Sequence, residues 1–273
     1  MPDTYSRLIV DRDHEYLKVS INRPGDRNSI DSLLMDELVE LLENAEASDV
    51  RVVVFTGSGD TYFIGGADGI EMMQCDPDSG RAFSIKIQAL FNRMEQSPLI
   101  LVAAINRLCF GGGFEFAMAC DFRIAAESAR IGLPEVKVGL IPGGGGTQRL
   151  PRLVGTGKAM QMILSGKLYP AKEALDQGLV HLCVPDENLD KACKEFMEPI
   201  LKHPQCALSQ AKLSVKAAQN NAFAQGLRVE SAAFQNCFEQ DFFADLMCRQ
   251  MAEGVLETTA ELPDSLCTKK EER

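Results

Sequence analysis

Residues Gly111–Phe122 read GGGFEFAMACDF: three glycines, then a carboxylate at Glu115 set among apolar residues, shortly after the apolar run PLILVAAIN at Pro98–Asn106. Such a run is the signature of a buried strand, and FEFAMAC continues as an apolar helix. A strand that turns into a helix through glycines presents the first N–H groups of that helix, which lack intrahelical partners and sit at its positive end. Glycine also lets a ligand approach the backbone closely. A helix starting just after Gly111 can therefore aim the Gly112 N–H at a developing oxyanion.

Outward from this segment the same alternation repeats. EYLKVSINRP from Glu15 and VRVVVFTGSG from Val50 are strand-like runs closed by Pro or Gly, and between them Leu34, Leu38, Leu41 and Leu42 share one helical face. SGRAFSIKIQALFNRMEQS at Ser79–Ser97 reads as a helix before the Pro98 strand, and DFRIAAESARIGLPE at Asp121–Glu135 as two short strands. AKEALDQGLV is a short helix stopped at Gly178, and VHLCVP a last strand. Beyond Pro185 only amphipathic helix is expected. The chain is read as an α/β core domain over residues 1–190, a helical region over 191–267 and a tail over 268–273.

The 273 residues carry a formal net charge of −11, which repels nucleic acid and anionic membrane surfaces. No apolar run reaches the ~18 residues needed to cross a bilayer. The nine cysteines are scattered singly, with no C-x-x-C pair, which points to reduced thiols in a cytoplasmic setting and to no zinc site. PGGGGTQR at Pro142 lacks the Lys-Ser/Thr pair of a phosphate-binding loop, and no dinucleotide fingerprint follows a strand. The three histidines, His14, His181 and His203, lie away from every glycine cluster, which disfavours Ser-His or Cys-His chemistry.

Three carboxylates beside glycines remain: Asp68 in FIGGADGIEM, Glu115 in GGGFEFAM and Glu135 in GLPEVKVGL. Residue type leaves two readings of each. An acid early in a helix complements the dipole, and Glu135 is equally a solvated loop acid; alternatively, the carboxylates are catalytic.

Taken together these segments resemble the enoyl-CoA hydratase/isomerase (crotonase) superfamily, from INRPGDRNSI at Ile21 through ALDQGLVHLCVP ending at Pro185. The most specific stretch is IGLPEVKVGLIPGGGGTQRLPRLVGTGKAMQMILSGKLYPAKEALDQGLV at Ile131–Val180, which is similar to the hydratase portions of bacterial multifunctional β-oxidation proteins. The resemblance implies a spiral of ββα repeats with a helical C-terminal trimerisation region, assembled as a homotrimer or a dimer of trimers. It implies an acyl-CoA thioester substrate, an enolate held in an oxyanion hole by the N–H groups of Gly65 and Gly112, and no metal or redox cofactor. It makes Glu115 the group that holds and activates water and Glu135 the donor of the α-proton, for reversible hydration of a 2-enoyl-CoA. Arg23, Arg27, Gly66, Ala67 and Asp68 are expected to contact substrate or its CoA. A Δ3-Δ2-enoyl-CoA isomerase needs only one acid, so the presence of both glutamates disfavours it; a synthase or decarboxylase using the same acyl-CoA enolate is a third alternative, and a non-catalytic oligomeric or RNA-binding member is disfavoured by the net charge and the pair of acids. Gly65 stands where the family often has a side chain, and Phe114 and Phe116 flank Glu115, which together suggest an unusual acyl group. Met72, Met73 and Phe83 are expected either to line an acyl pocket or to pack in the core.

Overall fold

The computed structural model describes residues 5–239 and 242–252. It forms two compact units, Met1–Leu201 and Lys202–Arg273.

The first unit is built on two sheets. Six strands, β1 (Leu8–Asp13), β2 (Tyr16–Ile21), β3 (Val52–Gly57), β5 (Ile100–Ile105), β7 (Phe122–Ala126) and β10 (Leu182–Val184), pair in that order, parallel throughout except for the β1–β2 hairpin. Four short strands, β4 (Tyr62–Ile64), β6 (Leu108–Phe110), β8 (Arg130–Gly132) and β9 (Tyr169–Pro170), form the second sheet. Successive turns of the chain give one strand to each sheet: β3 then β4, β5 then β6, β7 then β8. This is the expected spiral. β3 and β5 are buried at every position, as their unbroken apolar runs require of strands covered on both faces.

Helices close the turns. α1 (Ser32–Glu46) starts at Asp31, whose carboxylate accepts the Leu34 N–H, and buries Leu34, Leu38, Leu41 and Leu42 as their spacing predicts. α2 (Gly69–Met73) follows β4. α3 (Pro77–Gln96) begins two residues before the expected Ser79, because Asp76 and Ser79 form a reciprocal capping box with Pro77 in the first turn. α4 (Gly112–Ala119) follows β6 and is buried along its length. α5 (Gly146–Val154), α6 (Thr156–Ser165) and α7 (Ala171–Asp176) lead to β10.

The expected domain limit at residue 190 differs from the division at Leu201. Helix α8 (Leu189–Leu201) stays with the sheets: its Phe196 ring lies 5.0 Å from Phe122 on β7, and Lys194 pairs with Asp13 on β1 at 3.0 Å. The second unit, over its described residues, holds α9 (Gln205–Asn220), α10 (Phe223–Asn236) and α11 (Phe242–Ala252), with Asn236 donating to Gln210 and the Phe238 ring 5.4 Å from Phe243. The expected tail over 268–273 lies outside the described residues. Seven cysteines, from Cys75 to Cys237, are free thiols, whereas Cys248 is disulfide-bonded and departs from the all-reduced expectation.

Candidate active site

The GGGFE segment does what its composition requires. Gly111 has φ 57°, in the left-handed region that favours glycine, and forms the N-cap of α4. A side chain at Gly113 would stand 2.1 Å from the Ile64 carbonyl oxygen, so α4 packs directly on the end of β4. Phe114 and Phe116 turn into the core; the Phe116 ring lies 5.1 Å from Phe55 and 6.0 Å from Phe91. They fix α4 in place, and the idea that they mark an unusual acyl pocket gains nothing from the structure.

The Gly112 N–H, first in the helix, has no acceptor among the described residues. The segment after β4 runs alongside it: a methyl group added to Gly112 would stand 3.0 Å from the Ala67 nitrogen. Ala67 forms an isolated parallel bridge with Ile30, in which the Gly66 carbonyl and the Asp68 N–H pair with Ile30 at 2.9 and 2.8 Å. In such a bridge the flanking groups face the partner strand, so the Ala67 N–H faces the other way, towards Gly112. It too lacks an acceptor among the described residues.

Gly65 is different, and its expected role as a donor is corrected. Its N–H donates to the Arg27 carbonyl at 2.9 Å, and a side chain there would meet the Arg27 Cβ at 2.8 Å. Glycine stands at that position to let two backbone segments pack. Gly66, with φ 99°, makes the turn that brings Ala67 to Gly112.

Arg23 and Asp68 are also corrected. Arg23 is only 8% exposed, and its guanidinium donates to Asp68 at 2.9 Å, to the Ser29 carbonyl at 2.7 Å and to Asp26 at 3.1 Å, and pairs with Asp31 at 3.3 Å. Asp68 caps α2, accepting from the N–H groups of Ile70 and Glu71. Both are engaged in holding the Ala67 strand to α1, and the one Arg23 donor without a partner, Nε, is buried. Arg27 alone of the pair projects from the surface, on a left-handed turn with φ 61°.

The two glutamates meet at the head of α4. Glu115, 2% exposed, lies one turn in, and its Oε1 accepts the N–H groups of Gly144 at 2.9 Å and Gly146 at 2.7 Å. Burial is the largest influence and leaves this carboxyl raised above its ordinary range, although those two donors and the nearby Arg149 charge act to lower it. Glu135 opens a single helical turn, Glu135–Val138, and its Oε1 lies 3.3 Å from where a side chain on Gly111 would begin. Both its carboxylate oxygens are buried without a hydrogen-bond partner. Burial, reinforced by the Glu115 charge, pushes Glu135 up to about 7. The reading of Glu135 as a solvated loop acid is therefore set aside.

Sequence reasoning missed Gly144 and Gly146. The PGGGG run was weighed only as a phosphate loop, yet its glycines are explained by Glu115: side chains at 144 and 146 would stand 2.7 Å from Oε2 and 2.8 Å from Oε1. A glycine run ahead of a helix was the available signal. Of the expected acyl lining, Phe83 packs on the core, Met72 is half-buried and Met73 is 80% exposed.

Comparison with known proteins gives the same picture. The family model described as enoyl-CoA hydratase/isomerase matches residues 12–254. A short-chain-enoyl-CoA hydratase of Clostridium acetobutylicum is 37% identical over 89% of this chain and 93% of its own length. A crotonyl-CoA hydratase of Syntrophomonas wolfei is 36% identical over 86% of this chain and 90% of its own. The crystal structure of an enoyl-CoA hydratase from Bacillus anthracis superposes with a TM-score of 0.85 at 35% identity, covering 91% of this chain and 97% of that one. With the fold and the matches over most of its length in agreement, the chain belongs to the enoyl-CoA hydratase/isomerase family.

Proposed function

We propose that the protein is an enoyl-CoA hydratase that adds water reversibly to a 2-enoyl-CoA to give a 3-hydroxyacyl-CoA. The observation that carries this reading is the pair of carboxyls at the head of α4, one gripped by two N–H donors and one bare, buried and pushed up to about 7. Hydration needs a base for the water and an acid for the α-carbon, and the contrast of environments supplies one of each.

The thioester oxygen sits between the N–H groups of Ala67 and Gly112, with Ala67 taking the place first expected of Gly65. Glu115 takes a proton from water as the oxygen bonds to Cβ; the π electrons move towards the thioester, and the enolate charge is held by the two N–H groups. Glu135 then gives its proton to Cα. The pair carries one proton before and after, on Glu135 at the start of hydration and on Glu115 at its end. Dehydration runs the same steps backwards.

An enolate held by N–H donors calls for no metal or redox group, so coenzyme A enters only as the handle of the substrate. Arg27 is the candidate cation for the CoA phosphates. Exposed apolar side chains, among them Val138 (75%) and Ile141 (70%) in the first unit and Phe223 (83%) in the second, support self-association as a trimer or a dimer of trimers. Sedimentation velocity tests that assignment, and a monomer would remove it. No described helix is long and apolar enough to cross a membrane, and a cytoplasmic site, supported by the free thiols, is the compartment to test by fractionation.

The test of the activity is loss of enoyl-thioester absorbance with crotonyl-CoA and a longer 2-enoyl-CoA, for wild type beside Glu115→Gln and Glu135→Gln. Turnover by wild type and a fall of ~10²-fold or more in each variant are expected. A wild type inert to both, yet active on a 3-enoyl-CoA, would replace hydration by double-bond isomerisation.

A further inference from the structure

Arg149 is an odd residue for its position. It lies in the first turn of α5, where a cation opposes the helix dipole. Its guanidinium folds back over Gly145, which has φ 105° and whose Cβ, if present, would meet Nη1 at 2.2 Å. Nη1 donates to the Gly144 carbonyl at 2.9 Å. Nε and Nη2 donate to the two oxygens of Glu95, both at 3.1 Å, and Nη2 also to Asn92 at 2.7 Å.

The peptides between Gly143 and Gly146 are gripped one after another. The Gly143 carbonyl accepts from Ser84 Oγ and Gln88 Nε2, both at 2.7 Å, and the N–H of that same peptide, on Gly144, donates to Glu115. The next carbonyl is held by Arg149. The third, on Gly145, takes the first helical bonds of α5 from Gln148 and Arg149, and its peptide N–H, on Gly146, donates to Glu115. A peptide is rigid, so fixing its carbonyl fixes the direction of its N–H. The gripping side chains Ser84, Gln88, Asn92 and Glu95 are spaced by four, four and three along α3, forming one helical stripe.

We infer that this stripe of α3, acting through Arg149 and the Gly143–Gly146 loop, is the positioning device that holds the Glu115 carboxylate in its working orientation and charge state. The inference rests on the hydratase reading for its catalytic consequence but not for its effect on Glu115. Ser84, Gln88 and Arg149 are positioning residues, since none needs to touch substrate. The Arg149 charge favours ionised Glu115, and the loop sets where its free oxygen points. A misplacement of the order of 1 Å costs about 10²-fold in rate.

The experiment uses full-length Arg149→Met, Arg149→Lys and Gln88→Met. Gln88 is only partly buried, so its variant tests the first peptide even where Arg149→Met folds poorly. Two readouts are taken on folded protein: titration of the Glu115 carboxyl by carbon NMR, assigned with Glu115→Gln, and kcat and KM on crotonyl-CoA across pH. Arg149→Met is expected to titrate Glu115 at higher pH and to lower kcat ~10-fold or more with KM within about threefold. Arg149→Lys restores the titration but only part of kcat, and Gln88→Met lowers kcat without moving the titration far. A Glu115 titration unchanged in Arg149→Met, or a loss confined to melting temperature or KM, overturns the inference. A shifted titration in a protein that does not hydrate crotonyl-CoA keeps the positioning device and removes the hydratase reading.

Discussion

Glu115 and Glu135 are the same residue type at opposite ends of a polar gradient. The first sits under a loop built to hold it, with two N–H donors on one oxygen and an arginine behind them. The second opens a short turn against Gly111 with both oxygens buried and bare. Solvation by fixed donors keeps a carboxylate able to accept a proton; desolvation without donors makes a carboxyl hold one near neutral pH. Both carboxyls are raised by burial, and the proposed assignment of base and acid rests on the donors that oppose this at Glu115.

The strongest way to break this contrast is to neutralise each member and follow pH. Hydration and dehydration both use the pair carrying one proton, so kcat/KM in either direction should fall as pH rises through about 7, where Glu135 ionises. Alongside a ~10²-fold or greater loss of rate, Glu135→Gln should remove that limb. Glu115→Gln should retain it, moved to lower pH, because a neighbouring negative charge is gone. A limb that survives in Glu135→Gln would reassign the acid.

Crowding the held oxygen should have the next largest effect. In Gly146→Ala the new methyl would stand 2.8 Å from Glu115 Oε1, and kcat is expected to fall ~10-fold or more with the Glu135 limb unmoved. Steady-state kinetics across pH checks this; a limb that moves with the rate would mean that the two environments are not separable.

Stability offers a third test. The folded value for Glu135 is raised above its ordinary 4.5 to about 7, so the protonated form is favoured in the native state. That contribution is complete below about 4.5 and is lost as pH rises through about 7. Glu135→Gln should therefore be more stable than wild type at pH 8, by about 1–2 kcal/mol after solvent screening, and not at pH 4. Urea unfolding at both pH values decides it, and an equal difference at both would show that ionisation is not the cause.

The smallest effect is expected at the surface. Arg27→Ala should raise KM for an acyl-CoA a few-fold and leave stability within about 0.5 kcal/mol. Arg23→Ala, by contrast, would leave Asp68 in a buried network without its cation and cost about 3 kcal/mol or more. Calorimetry of the two variants separates a ligand contact from a structural one.

Much of the frame was legible before folding. The apolar runs at Val50 and Pro98, the leucine spacing of α1 and the stop at Gly178 each carry a local period or a local breaker, and the structure places them as read. Apart from the strand at Arg130–Gly132, the second sheet was not legible, because strands of two or three residues such as Tyr62–Ile64 and Leu108–Phe110 are too short to show a period and exist only through pairing. Arg23 shows the same limit: as a residue type it suits a phosphate, and only packing reveals that its guanidinium is buried with both terminal nitrogens engaged.

By itself, the sequence determined where strands give way to helices, that glycines and carboxylates cluster at Gly111–Glu115 and Glu135, and which family these segments resemble. Those properties depend on neighbours along the chain. Only the tertiary structure decided that Ala67 rather than Gly65 faces Gly112, that the PGGGG loop serves Glu115, and that Glu135 is bare. Each of these turns on which segment a free N–H or a carboxylate meets from well outside its own stretch of chain, and local spacing carries no record of such meetings.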